Sequence, residues 1–199
     1  MPWLSADFET DWVRVCQVGA GASRGTTWLP EVDDEVLVAF EQGDVSQPYV
    51  IGSLYNGRDP AYKGDRAVDG QGRAVMREFR TRTNNQITFF DGESKKGMLM
   101  RTGDKGYSLE LNQSNTSVKL HSDGTLEITG VTKVVLSSKG PLDIEADGDI
   151  SIRSKGSVKL DGINVEVNAT AQAKVSGNAG VDVSSSGIVS VGGAMVKLN

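Results

Sequence analysis

Residues 126–160 decide the fold of this chain, and they read LEITGVTKVVLSSKGPLDIEADGDISIRSKGSVKL. Apolar residues come in pairs with one residue between them, and the pairs recur at intervals of eight, beginning with Leu126/Ile128 and Val134/Leu136. Alternation with a period of two predicts a β-strand that has both members of a pair on one face. Turn-forming residues such as Gly140 separate the pairs. The repeating unit, an octad, is therefore a short strand followed by a corner.

The octad pattern continues on both sides of this stretch, so that twelve pairs lie between Leu109 and Leu198. The interval is eight from Val118 to Val158, seven at the next step, and eight again through Val189. We predict that the paired residues form a core, whose members are Leu126, Ile128, Val134, Leu136, Leu142, Ile144, Ile150, Ile152, Val158, Leu160, Val165, Val167, Val175, Val181, Val183, Val189 and Val191. A flexible Ser/Gly-rich tail does not keep apolar pairs in register, so disorder is the weaker interpretation.

Strands at a fixed period are typical of β-helices and solenoids. Eight residues span roughly 26 Å, enough for one side of a triangular prism with its corner, so that three octads make one turn. Two arrangements remain open, because one chain can supply all three sides or three chains can each supply one side at every level. Twelve octads then reach a height of about 19 Å or about 58 Å, respectively, and only the second is a needle. A layer of six aliphatic side chains around a threefold axis modestly favours the trimer.

The composition argues against several classes of protein. The chain has 199 residues, a formal net charge of -5 and one cysteine, Cys16, which permits no intramolecular disulfide. The acidic balance argues against nucleic acid as a partner, because phosphate binding needs a basic surface. All aromatic residues lie at or before Tyr107, so the second half must be held together without them. The N-terminus lacks the basic-then-apolar order of a signal peptide, so we expect no general secretory route.

The first half reads as a different kind of β-structure. Alternating stretches at residues 11–17, 35–40 and 48–55 predict three strands, and the Gly-, Asp- and Pro-rich loops between them suit a small barrel such as an OB-fold. The predicted organisation is all-β, with an OB-fold-like barrel over residues 1–57 and a connector over residues 58–85. Transition strands follow over residues 86–107, and the octad repeat with its C-terminal tip occupies residues 108–199.

Four stretches of the first half carry a family resemblance: WVRV at 12–15, GAG at 19–21, LPEVDDEVLVAFEQGD at 29–44 and QPYVIGSLYNG at 47–57. They resemble the OB-fold of VgrG-type spike proteins, the central spikes of type VI secretion systems, extracellular contractile injection systems and contractile phage tails. In that family a barrel is likewise followed by octads, so the resemblance covers nearly the whole chain. It implies a homotrimer whose intertwined triple-stranded β-helix forms a membrane-puncturing needle at the tip of the apparatus.

The resemblance also implies partners and a location. Hub domains that dock such spikes to the tube and baseplate are missing here, as is the barrel strand before Pro2-Trp3, so we expect a C-terminal fragment with an added Met1. In the family a PAAR-type tip protein caps the needle, and effectors can be carried with it; we assign tip binding to Met195, Val196, Lys197, Leu198 and Asn199. Assembly is expected in the bacterial cytoplasm, followed by export on firing and transient contact with the target-cell envelope.

Catalysis finds little support in the residues. His121 is the only histidine and alternates with Leu120, which directs it outward, and Cys16 is best interpreted as a structural thiol. We therefore expect no enzymatic activity, no cofactor and no metal. The alternative function is that of a trimeric β-helical tail protein that binds receptors or degrades polysaccharides, but residues 108–199 offer no aromatic sugar platform. A monomeric solenoid that acts as a binding module also remains open on the period alone.

Overall fold

The structure, a computed structural model, describes residues 12–62 and 67–197, and the chain divides into two compact units, Met1–Val134 and Val135–Asn199. The expectations about Met1, about the strand before Pro2-Trp3 and about Leu198 and Asn199 lie outside the described residues. Within them, ten β-strands and one short 3₁₀ turn, Glu41–Gly43, are the regular elements. The prediction of an all-β fold is confirmed.

The first strands of unit 1 form a small three-stranded sheet and a separate hairpin. The strands are β1 Arg14–Val15, β2 Ala20–Gly21, β3 Arg24–Gly25, β4 Val36–Phe40 and β5 Pro48–Ser53. The sheet has the order β1-β5-β4, in which β1 runs parallel and β4 antiparallel to β5, while β2 pairs with β3. The strands expected in residues 11–17, 35–40 and 48–55 are thus present, although the first is shorter than the alternation predicted.

Side-chain hydrogen bonds lengthen the short first strand. The Gln17 side chain donates from Nε2 to the Trp28 carbonyl oxygen at 2.9 Å, and its Oε1 accepts from the Trp28 backbone N–H, also at 2.9 Å. The Cys16 backbone N–H donates to the Val50 carbonyl oxygen at 2.7 Å. The Gln17 amide thus pairs with the Trp28 backbone as a neighbouring strand would, because its NH₂ group donates one hydrogen bond and its oxygen accepts another.

The second sheet of unit 1 is a five-stranded antiparallel meander. Its strands are β6 Met76–Arg80, β7 Gln86–Asp91, β8 Lys96–Arg101, β9 Tyr107–Asn112 and β10 Ser117–Ser122, paired in chain order. β6 lies inside the stretch that we expected to be a connector, β10 lies inside the stretch assigned to the octad repeat, and all of β9 except Tyr107 lies there too. The sheet thus begins before residue 86 and continues past residue 107, and the proposed domain boundaries stay predictions.

One glycine in this sheet has no possible substitute. Gly97 in β8 has a φ of 139°, and a Cβ atom built on it would overlap the carbonyl oxygen of Leu111 in β9. Only glycine allows both this backbone conformation and this close approach of two strands.

The two faces of the meander differ in chemistry. On one face lies a hydrogen-bonded polar cluster that is buried at Gln86 and Thr88 and half-buried elsewhere: Arg80 donates from Nε to Glu78 Oε1 at 2.5 Å, and Thr88 donates from Oγ1 to Glu78 Oε2 at 2.8 Å. Gln86 donates from Nε2 to Thr88 Oγ1 at 2.9 Å and accepts from Arg101 at 3.1 Å. Thr88 is completely buried. Because the groups satisfy one another, burial does not leave an unpaired polar atom in this cluster.

This cluster also changes the acidity of its carboxylate. Burial by itself raises the pKa of Glu78, but the hydrogen bonds from Arg80 and Thr88 and the charges of Arg80 and Arg101 outweigh it and hold the pKa below its usual range. The guanidinium of Arg80 additionally stacks over the ring of Tyr62, at 3.7 Å from its centroid. The ionised carboxylate is therefore part of what holds β6 to β7.

The substitution Glu78→Gln should destabilise the sheet at neutral pH and change how stability depends on pH. A carboxyl with a depressed folded-state pKa stabilises the fold above its unfolded pKa of about 4.3, and this stabilisation is lost as the pH falls through the folded value. We expect a loss of about 1–3 kcal/mol at pH 7 that becomes smaller below pH 4, measured by urea unfolding at both pH values. Glu93→Gln is the control, because its ion pair with Arg73 is exposed and contributes little. Equal pH dependence in the two variants would contradict the role of Glu78.

Unit 2 is different in kind from the sheets of unit 1. Over its described residues, 135–197, no strand pairs with another part of the chain, and every residue is exposed. The part of the chain that the structure describes also holds no helix with the length and apolar character needed to cross a membrane.

Candidate functional site

The octad repeat is visible in the backbone as a series of evenly spaced bends. Bends occur at residues 123, 131, 139, 147, 155 and 163, then near 170, and again at 178, 186 and 194. The interval of eight with one shorter step matches the spacing of the apolar pairs in the sequence. Each octad is therefore a straight stretch followed by a corner, as the pattern predicted, although the β-helix itself stays a prediction.

The corners are built by a short side-chain to backbone hydrogen bond. In four octads the serine that starts the corner accepts, at its Oγ, the backbone N–H of a glycine two residues later, at 3.0–3.2 Å. These corners are Ser122–Gly124, Ser138–Gly140, Ser154–Gly156 and Ser185–Gly187. A serine hydroxyl in this position replaces a backbone acceptor and holds a tight turn.

Sequence reasoning missed one regular feature of these corners. The residue that starts each corner is always small, and in chain order these residues are Ser122, Gly130, Ser138, Ala146, Ser154, Gly162, Ala169, Gly177, Ser185 and Gly193. At Gly177 a Cβ atom would overlap the carbonyl oxygen of Gly180. The pattern was present in the sequence at the same period as the apolar pairs, and a search for recurring small residues would have found it.

The predicted core residues share one environment from octad to octad. In the pairs from Leu126 to Val191, the first Leu, Ile or Val of each pair is 49–59% exposed, and the second is 65–80% exposed. The structure of one chain thus brings none of them together in a core, and it leaves all of them available on the surface.

The apolar pairs continue onto the meander. Cross-strand pairing puts one row of apolar side chains on the same face of all five strands: Phe79, Ile87, Met100, Leu109 and Leu120. A second row on that face contains Phe89, Met98, Leu111 and Val118. We refer to these two rows as the apolar sheet face. A groove of about 530 Å³ lies over it and extends to Leu126, the first apolar residue of the next octad.

Strand β10 belongs to the sheet and to the repeat at once. Its pair Val118/Leu120 precedes Leu126/Ile128 by the same interval of eight, and its corner at Ser122 has the same hydrogen bond as the later corners. The first octad pair of the repeat therefore lies on the apolar sheet face.

The residues weighed for chemistry are not part of the apolar rows. His121 is exposed on the face of β10 opposite to Leu120, and its Nε2 lies 2.9 Å from Asp123 Oδ1. The hydroxyl of Ser122, between them, is used in the corner. Cys16 is an exposed free thiol. Over residues 12–62 and 67–197, no three His, Cys, Asp or Glu side chains lie close enough to hold a metal ion.

The residues assigned to tip binding are partly described. Met195 and Val196 are both exposed, at 75% and 52%. They follow the last bend of the series, at residue 194, and lie next to Lys197. Leu198 and Asn199 are outside the described residues.

Comparison with known proteins finds similarity to one group of proteins. Residues 1–55 match the family described as the type VI secretion system/phage-baseplate injector OB domain. This match confirms the OB-fold expected for the first half. The chain is also 29% identical over 129 residues to the type VI secretion system spike protein VgrG3 of Vibrio cholerae, an alignment that covers 60% of this chain and 12% of that protein. This chain is similar in sequence to VgrG-type spike proteins.

Other VgrG-type proteins match over different lengths. The actin cross-linking toxin VgrG1 of Vibrio cholerae is 28% identical over 157 residues, which covers 73% of this chain and 14% of the relative. The spike protein VgrG2a of Pseudomonas aeruginosa is 43% identical over 49 residues, or 25% of this chain and 6% of the relative. The chain spans only 12–14% of the length of the two Vibrio relatives.

Removing a corner hydroxyl should weaken the repeat. Ser154→Ala deletes the acceptor for the Gly156 N–H, which lies at 3.1 Å, and we expect a loss of about 0.5–1.5 kcal/mol per chain, measured as a lower thermal midpoint. Ser157→Ala in the same octad is the matched control, since its exposed hydroxyl makes no hydrogen bond that closes a corner. An unchanged midpoint for Ser154→Ala would show that the corner does not depend on this bond.

Proposed function

We propose that this chain is the needle-bearing part of a homotrimeric spike that punctures a target-cell envelope at the tip of a contractile injection apparatus. The observation that carries the proposal is the set of octad pairs, which recur at a fixed interval and are all exposed in a single chain. Apolar side chains in such regular order need a partner surface with the same order. Two further copies of the same chain supply that surface.

The total exposed surface supports association. One chain exposes 18800 Å², whereas a compact folded monomer of 21.2 kDa is expected to expose about 9,000 Å². A surface excess of this size is typical of a chain that completes its core with other chains.

The backbone of the octads supports the same arrangement. Among the described residues 124–197, the only hydrogen bonds to the backbone from within the chain come from corner side chains, and the straight stretches have free donors and acceptors. A single-chain solenoid pairs each octad with a later octad of the same chain, whereas an intertwined trimer pairs it with another chain. Backbone groups that become buried must be paired, so the trimer accounts for both the free groups and the exposed pairs.

The apolar sheet face extends the proposed core upward from the octads. Leu120 lies on that face and also belongs to an octad pair. In the proposed trimer the octad pairs are directed inward, so the apolar sheet face, with Leu109 and Met100 on the neighbouring strands, is directed inward as well. Formation of the trimer then buries the apolar sheet face as well as the octad pairs. Its interface includes residues 76–122 in addition to the core residues expected from the sequence.

The proposed role is mechanical. A trimer with aliphatic layers along its axis and continuous interchain pairing is stiff, and stiffness is what a needle driven by a contracting sheath requires. Baseplate and tube proteins are the expected partners on the barrel side, since residues 1–55 match an injector OB domain. We propose assembly in the bacterial cytoplasm and exposure outside the cell on firing, without an enzymatic activity of this segment.

A charge on the axis should disrupt the trimer. Ile150→Asp places three carboxylates in one layer, and burying an unpaired ion costs several kcal/mol, so we expect loss of the trimer or of its heat resistance. Light scattering on unheated protein measures the effect, with a mass near three times 21.2 kDa expected for the unsubstituted chain.

The matched control is Ser151→Asp, which adds the same side chain one residue later on the opposite face of the strand. This variant should keep the mass and thermal midpoint of the parent chain. A trimeric Ile150→Asp variant with unchanged heat resistance would contradict the inward assignment, and a parent mass near 21.2 kDa would contradict the spike.

We further propose that Met195, Val196, Lys197, Leu198 and Asn199 bind a PAAR-type tip protein. Support comes from the relationship to VgrG-type spikes and from the exposed neighbours Met195 and Val196. In a trimer these residues form a small apolar surface with three strand edges, and an exposed edge needs a cover.

Deleting residues 192–199 should abolish tip binding and leave the trimer intact. The measurement is co-purification with a PAAR-type protein, and light scattering on the truncated chain serves as the control for assembly. Retained co-purification by a truncated trimer would refute the assignment of the tip surface.

A further inference from the structure

We infer that charged residues on the outside of the octads select the register of the trimer, by matching each octad with the next octad of a second copy of this chain. The inference rests on the proposed trimer and adds the surface that sets its register. It starts from the mid-pair residue, the residue between the two members of each apolar pair. From the pair Val118/Leu120 onward, the mid-pair residues in chain order are Lys119, Glu127, Val135, Asp143, Ser151, Lys159, Glu166, Lys174, Asp182, Ser190 and Lys197.

The geometry of a three-sided needle determines which octads touch. With each corner a chain passes to the next side of the prism, and there it lies against the preceding octad of the neighbouring chain. Vertical neighbours are therefore one octad of one copy and the following octad of another, parallel and about 4.8 Å apart. Because the octads all run in the same direction around the axis, equivalent positions stack in columns.

In this register the mid-pair column contains four contacts between charged residues, and each joins opposite charges. The contacts are Lys119 with Glu127, Lys159 with Glu166, Glu166 with Lys174, and Lys174 with Asp182. No two like charges are neighbours in this column. Opposite charges on adjacent strands stabilise a sheet, and like charges destabilise it.

The alternative registers bring like charges together. An offset of two octads does so at three mid-pair contacts: Glu127 with Asp143, Lys159 with Lys174, and Glu166 with Asp182. An offset of three octads, which is the stacking of a single-chain solenoid, does so at two: Asp143 with Glu166, and Lys174 with Lys197. The charges thus favour the intertwined register over both alternatives.

Two other outward columns follow the same rule. The residue directly after each pair gives the run Glu145, Arg153, Asp161 in successive octads. The residue at the bend gives the run Lys139, Asp147, Lys155. In each run the central residue has an opposite charge on both sides, and neither column has like charges in successive octads.

The first contact of this kind is present in the meander. Lys119 in β10 lies directly opposite Glu110 in β9, and both side chains are on the face opposite to the apolar rows. The mid-pair residues therefore already act as cross-strand partners where the chain pairs with itself.

These charges are exposed, so each contact contributes little to stability and is screened by salt. Their effect is on specificity, because each wrong register repeats its repulsive contacts in all three chains. Apolar pairs alone cannot select one register over another, since every octad offers nearly the same Val, Ile or Leu side chains to its neighbour.

The test is a set of charge changes in the full chain. Glu166→Lys puts a lysine between Lys159 and Lys174, and the matched control Ser151→Lys puts one between Asp143 and Lys159, with one attractive and one repulsive neighbour. A fourfold variant, Lys159→Glu with Glu166→Lys, Lys174→Glu and Asp182→Lys, inverts a run that the uncharged Ser151 and Ser190 separate from the rest of the column. The readouts are mass by light scattering and the unfolding rate in low and high salt.

At about 20 mM NaCl we expect Glu166→Lys to unfold at least about tenfold faster than the parent, with the difference reduced to under about threefold at about 1 M. The control and the inverted variant should stay within about threefold of the parent at both salt concentrations. A trimer in which Glu166→Lys behaves like Ser151→Lys, or in which inversion does not restore stability, overturns the register inference alone. A monomeric parent chain overturns the proposed spike as well.

Discussion

The structure depends on one constraint: an apolar pair every eight residues that a single chain leaves exposed. A straight stretch of this length is too short to fold back on itself, and each corner turns the chain before a second strand can pair with the first. The apolar side chains need a surface that buries them, and the backbone needs hydrogen-bond partners. A neighbouring strand with the same period supplies both. Three copies of one sequence meet this requirement at every level, because the period of each copy is the period of the others.

Strand β10 connects this repeat to an ordinary fold. In the meander, hairpin turns supply the antiparallel partners, and the polar cluster around Glu78 and Thr88 closes one face within the chain. After Asp123 the described backbone has no further backbone partner within the chain, but the apolar pairs continue at an interval of eight as far as Val158. In the proposed trimer the meander therefore gives each chain a folded starting point, so that octads need to form only after three chains have been brought together.

Much of this could be predicted from the sequence, since the period and its single shorter step are properties of residue order, and the bends follow them. The strands near residues 35–40 and 48–55 were likewise readable from alternation. The extent of the meander could not be predicted from the sequence, because the pair Val118/Leu120 has the same spacing whether β10 pairs antiparallel with β9 or parallel with another chain. Periodicity gives the face of a side chain, whereas the partner strand depends on turns and on other chains.

The change in composition along the repeat has a physical meaning for a needle. Early pairs such as Leu142/Ile144 and Ile150/Ile152 give way to Val165/Val167 and Val181/Val183, so each layer loses methylene groups toward the C-terminus. Smaller side chains let the three strands of a layer approach more closely, and each layer then buries less apolar area. In the proposed trimer, stability is thus concentrated near the meander, whereas the narrow end relies on backbone pairing between the chains and on the proposed tip protein. For the proposed puncturing role, the end that enters an envelope first would in this way be held by the broader layers behind it.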